Sequence, residues 1–241
     1  MADAAQYFQW VFFDIGSVLM DEDPWRNTLD ATLFESLRAE EPDLTRQSFD
    51  AWMAMGHEQT AAAPLTWVLR AVLPDEPAVS DFRRRRWELA APTYYQYGVP
   101  AEGAVEALET LRGRYRLGII ANQLPEIHAW MDRYDLDRFF EFAAYDCDLG
   151  FGKPDSRLFS WALERAGCEP GRAIMVGDRV DNDVAPAKSV GMAAIRMYGR
   201  GEYGRVEPRA PSEMPDACVR SMTEIPAAVE LLDRRRGAER A

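Results

Sequence analysis

Lysine is nearly missing from this 241-residue chain: Lys153 and Lys188 are the only two, and arginine supplies the remaining positive charge. GC-rich coding, which favours arginine, is the bland explanation, yet it makes each lysine a little more noticeable than usual. Histidine is scarcer than in most chains, with only His57 and His128, and the three cysteines Cys147, Cys168 and Cys218 are widely spaced. Together they form no metal-ligand spacing and no disulfide framework, so neither a zinc site nor a stapled fold is expected. No apolar run approaches the ~20 residues that a membrane helix needs. Met1 to Gln9 lacks a basic start followed by an apolar stretch, so no signal peptide is expected and a cytoplasmic location is the default. Positive charge is short overall: the net charge of −12 argues against nucleic acid as the main partner, because phosphate backbones demand a basic face. The same deficit argues against an anionic membrane surface. The oligomeric state is left open.

What is present fits one large α/β domain, or a core with a smaller insert. Trp10-Val11-Phe12-Phe13 is short, apolar and rich in β-formers, and it ends in Asp14-Ile15-Gly16-Ser17. That pattern predicts a buried strand running into a turn. Similar runs recur at Leu117 to Ala121, Phe142 to Tyr145, Ala173 to Val176 and Ala193 to Met197. Helical patterns follow the first three of these, at Pro125 to Tyr134, Ser156 to Ala166 and Asn182 to Val190. Strand alternating with helix predicts a parallel sheet covered on both faces, a doubly wound, Rossmann-like α/β core. From Trp25 to Tyr97 the pattern is helical, with Pro42, Pro64, Pro74, Pro77 and Pro92 dividing it into several helices. The expected domains are therefore a core of 1–20 and 98–241 and an inserted helical cap of 21–97. A helix from about Glu102 to Arg114 resumes the core. A Gly- and Pro-rich loop follows from Gly199 to Pro215, and a last strand near Ala217 to Arg220 and a helix from Glu224 to Arg236 close the chain.

Open parallel sheets bind ligands at the carboxyl ends of their strands. The residues just beyond each strand are Asp14-Ile15-Gly16-Ser17, Ala121-Asn122-Gln123, Gly152-Lys153-Pro154, and Gly177-Asp178 through Asp181-Asn182-Asp183. Acidic positions and one of the two lysines are thus expected to meet in one crevice. Each residue also has a bland explanation. An Asp ending a strand at a Gly turn is common, Asp178 and Asp181 suit helix caps, and Lys153 suits a surface lysine before a helix.

As a set, these segments resemble the four motifs of the haloacid dehalogenase-like (HAD) superfamily, in the subgroup with a helical cap after the first strand. Phe12 to Leu19 is similar to the first motif, and Leu117 to Gln123 occupies the second. Gly152-Lys153-Pro154-Asp155 is similar to the third, and Ile174 to Asp183 followed by Ala187 to Met192 to the fourth. The resemblance implies Asp14 as a nucleophile that attacks phosphorus. It implies Mg²⁺ bound by Asp14, the Gly16 carbonyl and Asp178, with Asp183 supporting the site. Lys153 would act as a point charge on the nucleophile and on a phosphate oxygen. Asp14, Lys153 and Asp183 are then the expected catalytic set.

Two positions depart from the family pattern. Gly16 stands where phosphatases usually carry a second Asp, the acid that protonates the leaving oxygen; such a group supplies ~10²–10⁴-fold in rate. Ala121 stands where a Ser or Thr hydroxyl usually donates to the phosphoryl group, and Asn122 or Gln123 is the expected substitute donor. Ser17 and Arg26 complete the candidate substrate contacts, with Trp25, His57, Arg70 and Tyr94 to Tyr97 as lining residues of the cap. Trp52, Trp67 and Trp87 are expected in the cap core, Asp21 to Asp23 as a solvated hinge, Arg83 to Arg86 as a solvated helix face, and His128 as structural. Three functions stay open: a Mg²⁺-dependent phosphatase for a small phosphorylated metabolite, a metal-free carbon-centred hydrolase of the dehalogenase kind, and a degenerate binding protein.

Overall fold

Trp10–Phe13 (β1) is buried along its whole length, as a strand covered on both faces must be. In the computed structural model, which describes residues 6–59, 64–198 and 207–238, this strand lies inside a six-stranded sheet. The other members are Arg116–Ala121 (β4), Phe142–Tyr145 (β5), Ala173–Gly177 (β6), Ala193–Met197 (β7) and Ala217–Val219 (β8), and the order is β5-β4-β1-β6-β7-β8. Every adjacent pair is parallel. The fold is the Rossmann-like α/β class. The chain steps from β1 to one side and later to the other, so β1 is where the strand order reverses.

The chain divides into two compact units. The first holds residues up to Asp21, Pro100–Gly199 and the stretch from Glu207 onward; the second holds Glu22–Val99. The short strands Met20–Asp21 (β2) and Val99–Pro100 (β3) stand where the chain passes from one to the other.

In the first unit the helices are Ala104–Arg112 (α5), Ile127–Arg133 (α6), Asp146–Leu149 (α7), Ser156–Ala166 (α8), Ala185–Ser189 (α9) and Ile225–Ala238 (α10). Helix α8 shows why the local sequence works. Asp155 caps its start by accepting from the Arg157 N–H at 2.9 Å, Gly167 closes it in the left-handed conformation at φ 59°, and Leu158, Phe159, Ala162, Leu163 and Ala166 form its buried stripe. That stripe packs with Trp10, Phe12, Ile120 and Met175 of the sheet.

The second unit is built from Asp23–Glu40 (α1), Arg46–Gln59 (α2), Pro64–Val72 (α3) and Glu76–Tyr97 (α4). Leu33, Leu37, Phe49, Val68, Leu69 and Phe82 are among the residues of its apolar core. Pro64 opens α3, but Pro92 does not end a helix: it lies inside α4, which runs on to Tyr97. A proline there removes one N–H and crowds the preceding turn, and twenty-two residues of continuous helix tolerate it. Trp87, expected in the core, is 46% exposed, whereas Trp25 and Tyr94 are buried and meet edge to face at 5.0 Å. Arg84 and Arg85 are exposed and paired with acidic neighbours. The side chains of His57 and Trp67 lie outside the described residues, as does part of the loop expected from Gly199. Among the described residues no helix is long and apolar enough to cross a membrane.

Candidate active site

The carboxyl edge of the sheet gathers buried charge: Asp14, Lys153, Asp178 and Asp183 all lie there. Asp14 follows β1, and its N–H donates to the Val176 carbonyl at 2.9 Å, so the β1–β6 ladder fixes where its side chain starts. Asp14 Oδ1 accepts from the Ile15 N–H at 2.8 Å and pairs with Lys153 Nζ at 2.8 Å. The same ammonium pairs with Asp183 Oδ1 at 2.6 Å. The second oxygen of Asp183 accepts from the Arg179 N–H at 2.9 Å. One carboxylate oxygen from each of Asp14, Asp178 and Asp183 lies within 4.8 Å of the other two. All three aspartates and Lys153 are buried, and Asp183 is fully so.

Burial and repulsion set the electrostatics. Desolvation pushes the Asp14 carboxyl up to about 6; Lys153 pulls against it, and Asp183 adds to the push. Burial works against the Lys153 ammonium, but the charges of Asp14 and Asp183 outweigh it and hold the group protonated above its ordinary range. Three buried carboxylates face one ammonium, which leaves a negative excess that a hard divalent cation would neutralise. The donors suit such an ion, because they are oxygen only. Both oxygens of Asp183 are engaged within the protein, one by Lys153 and one by the Arg179 N–H.

The loops that hold these groups are tight. A Cβ on Gly177 would come within 2.3 Å of the Asp183 side chain, so only glycine lets that carboxylate fold back against the end of β6. Residues Val180–Val184 form a π turn that leads into α9. The sequence pattern predicts an ordinary helix over 182–190; the wider turn instead brings Asp183 inward, and Pro186 offers no N–H to an α-type start. Asp181 is paired with Arg179, which holds its carboxyl below the usual range.

The candidate substrate contacts separate. Asn122 is bound to the main chain of Lys153: its Nδ2 donates to the Lys153 carbonyl at 2.7 Å, and its Oδ1 accepts the Lys153 N–H at 2.7 Å. Gly152 must be glycine for this, since its Cβ would meet Asn122 Oδ1 at 2.6 Å. The Gln123 N–H donates to Asp146 Oδ1 at 2.6 Å, so that amide too is engaged within the protein. Ala121 closes β4, fully buried and without a hydroxyl. Gly16 and Ser17 are half-buried in the turn after Asp14, where Ser17 takes the left-handed conformation at φ 58°, uncommon for a residue with a side chain. Arg26 lies in the second unit and pairs there with Glu22, which also accepts from the Tyr94 hydroxyl. The middle member of the expected acidic hinge is therefore tied into the second unit.

Sequence reasoning passes over Arg196. It is fully buried on β7, and its Nε donates to the Asp178 carbonyl at 3.4 Å. A lone arginine inside the apolar run Ala193 to Met197 is the signal that would have found it.

Acidic and basic groups gathered at the carboxyl edge of an open parallel sheet, beside the strand where the order reverses, define a ligand crevice of the α/β enzyme type. The family model for haloacid dehalogenase-like hydrolases matches residues 8–191, from the lead into β1 to the turn after α9, and the chain belongs to that family. Among curated proteins it is 32% identical over 144 residues to a glyceraldehyde 3-phosphate phosphatase of Methanopyrus kandleri, covering 58% of each chain. It is 26% identical to a phosphoserine phosphatase of Thermus thermophilus, covering 84% of this chain and 76% of that one. The match thus spans about three fifths of the length of the first of these relatives. A haloacid dehalogenase-like hydrolase structure from Xanthomonas campestris covers 97% of this chain and 100% of its own, at 18% identity and a TM-score of 0.66, and it shares the fold.

Proposed function

We propose that this chain is a Mg²⁺-dependent phosphatase acting on a small phosphorylated metabolite through an aspartyl-phosphate on Asp14. The observation that carries this is the bridge Asp14–Lys153–Asp183 beside Asp178. Oδ1 of Asp14 is held by Lys153 and by the Ile15 N–H, which leaves Oδ2 to attack phosphorus. Asp14 and Asp178 would hold the cation, with the Gly16 carbonyl as a further oxygen. A bound Mg²⁺ supplies charge neutralisation for a phosphate entering a site that is already negative. Lys153 stays charged and neutralises oxygens that gain charge on the phosphoryl group. Asp183 and Arg196 position the lysine and the Asp178 main chain, and Asn122 aims the lysine loop rather than touching substrate. The relatives named as phosphatases support the same reaction.

With glycine at position 16, the leaving oxygen departs without a carboxylic acid two residues from the nucleophile. The favoured substrates are then esters with good leaving groups, such as anomeric sugar phosphates or acyl phosphates. A panel of phosphate compounds graded by leaving-group pKa, assayed with Mg²⁺ and with EDTA, tests this. Metal-dependent phosphate release that falls steeply as the leaving group worsens supports the proposal. Metal-independent halide release from haloacids, or no turnover by folded, metal-loaded protein, ends it. Gly16→Asp should raise turnover of poor leaving groups toward the lower end of the ~10²–10⁴-fold that such an acid supplies; unchanged rates contradict the missing-acid account.

A further inference from the structure

His128, Cys147 and Asp148 are brought together by helices that follow neighbouring strands. His128 is on α6, after β4; Cys147 and Asp148 are on α7, after β5. His128 Nε2 is 3.1 Å from Asp148 Oδ1, and Cys147 Sγ is 3.8 Å from that same oxygen. One ligand atom from each residue lies within 4.8 Å of the other two. The His128 ring meets the buried Tyr145 ring edge to face at 5.4 Å, so a fixed neighbour sets its direction. His128 and Asp148 are exposed and Cys147 is half-buried, which leaves the three atoms open to an arriving ion.

We infer that His128, Cys147 and Asp148 form a second cation site, selective for a borderline-soft divalent ion of the zinc class. Bonds of ~2.0–2.3 Å in a tetrahedron place neighbouring ligand atoms roughly 3.2–3.8 Å apart; the Cys147–Asp148 separation of 3.8 Å has that size, and the His128–Asp148 separation of 3.1 Å lies just below it. Imidazole and thiolate suit a zinc-class ion and are poor ligands for Mg²⁺, whereas the oxygen-only set at Asp14 and Asp178 has the reverse preference. On binding, the Cys147 thiol gives its proton to solvent as Sγ bonds to the cation; no oxidation state changes, and water fills the fourth position. Such an ion clamps α6 to α7. Helix α7 also carries Asp146, which accepts the Gln123 N–H, next to the Asn122 that holds the Lys153 main chain. The clamp therefore rests on the framework of the lysine loop. The three residues are twenty positions apart in the chain at their widest, and the neighbouring strands β4 and β5 bring them together.

The test uses Co²⁺ as a spectroscopic stand-in for Zn²⁺, on the full chain freed of metal and then kept in excess Mg²⁺. The expected result is a sulfur-to-cobalt charge-transfer band that saturates at one cobalt per chain and disappears when Zn²⁺ is added. Cys147→Ser abolishes the band. His128→Ala weakens Co²⁺ binding by at least the ~10-fold that loss of a mere supporting partner costs. Cys218→Ser leaves both unchanged. A folded wild-type protein that shows no such band, a band that persists in Cys147→Ser, or undiminished Co²⁺ affinity in His128→Ala overturns the inference.

Discussion

The two units treat charge in opposite ways. Among the described residues, every buried charged side chain (Asp14, Lys153, Asp178, Asp183, Arg196 and Asp233) belongs to the unit that carries the sheet. The helical unit keeps a dry apolar core and places ion pairs such as Arg84–Glu88 on its surface. Burying a charge is costly unless partners are supplied, so a fold concentrates such groups only where something repays the cost. Asp233 shows a structural repayment: it accepts the Tyr7 and Phe8 N–H groups at 2.8 and 2.7 Å and ties the first strand's approach to α10. Asp14 receives one N–H and an ammonium yet is still pushed up to about 6. The nucleophile and metal-ligand role proposed for Asp14 calls for that kind of residual destabilisation.

The largest effect that tests this contrast is catalytic. Asp14→Asn should lower turnover of phosphate esters by about 10⁴-fold or more, as loss of a nucleophile does, with the far-ultraviolet circular dichroism unchanged. Next comes Lys153→Met. Removing the only ammonium from among three buried carboxylates should cost about 3–5 kcal/mol in urea unfolding; a shift near zero would mean that the aspartates are not charged together in the folded protein.

A subtler effect depends on pH. The Asp14 carboxyl binds its proton more tightly folded than unfolded, so its contribution to stability is present below about pH 4 and is lost as pH rises through about 6. In EDTA, Asp14→Asn should therefore gain on the wild type between pH 4 and 7, by on the order of 2 kcal/mol. Paired urea titrations at the two pH values read this difference, and a mutant-minus-wild-type stability that stays flat or falls with rising pH contradicts it. The smallest effect belongs to the helical unit: Arg84→Gln should leave the urea midpoint where it is, since exposed pairs of this kind add little.

Much of the sheet could be read from the chain because each strand is a short apolar run bounded by turn residues. The runs Trp10 to Phe13, Phe142 to Tyr145 and Ala193 to Met197 coincide with β1, β5 and β7, and α8 coincides with its capped pattern at Ser156 to Ala166. What escaped depends on neighbours distant in sequence. Helix α7 is a single turn that ends at a left-handed glycine, Gly150, too short for any periodicity. Pro92 looks like a helix end until the whole of α4 is seen to pass through it. The bonds of Asn122 to the main chain of Lys153, thirty-one residues on, could not be read from the sequence either, because they join two loops that only the fold brings together. Trp87 looks like core by residue type alone, yet it sits at the edge of the apolar cluster, its ring against Trp25 and Tyr94 while 46% of the residue stays exposed.

The most direct measurement is mass spectrometry of the protein acid-quenched during turnover of an acyl or sugar phosphate in Mg²⁺. The account predicts a transient adduct of phosphate mass that maps to the peptide carrying Asp14 and is absent in EDTA. Steady turnover with no covalent adduct, or an adduct on any other residue, would contradict it.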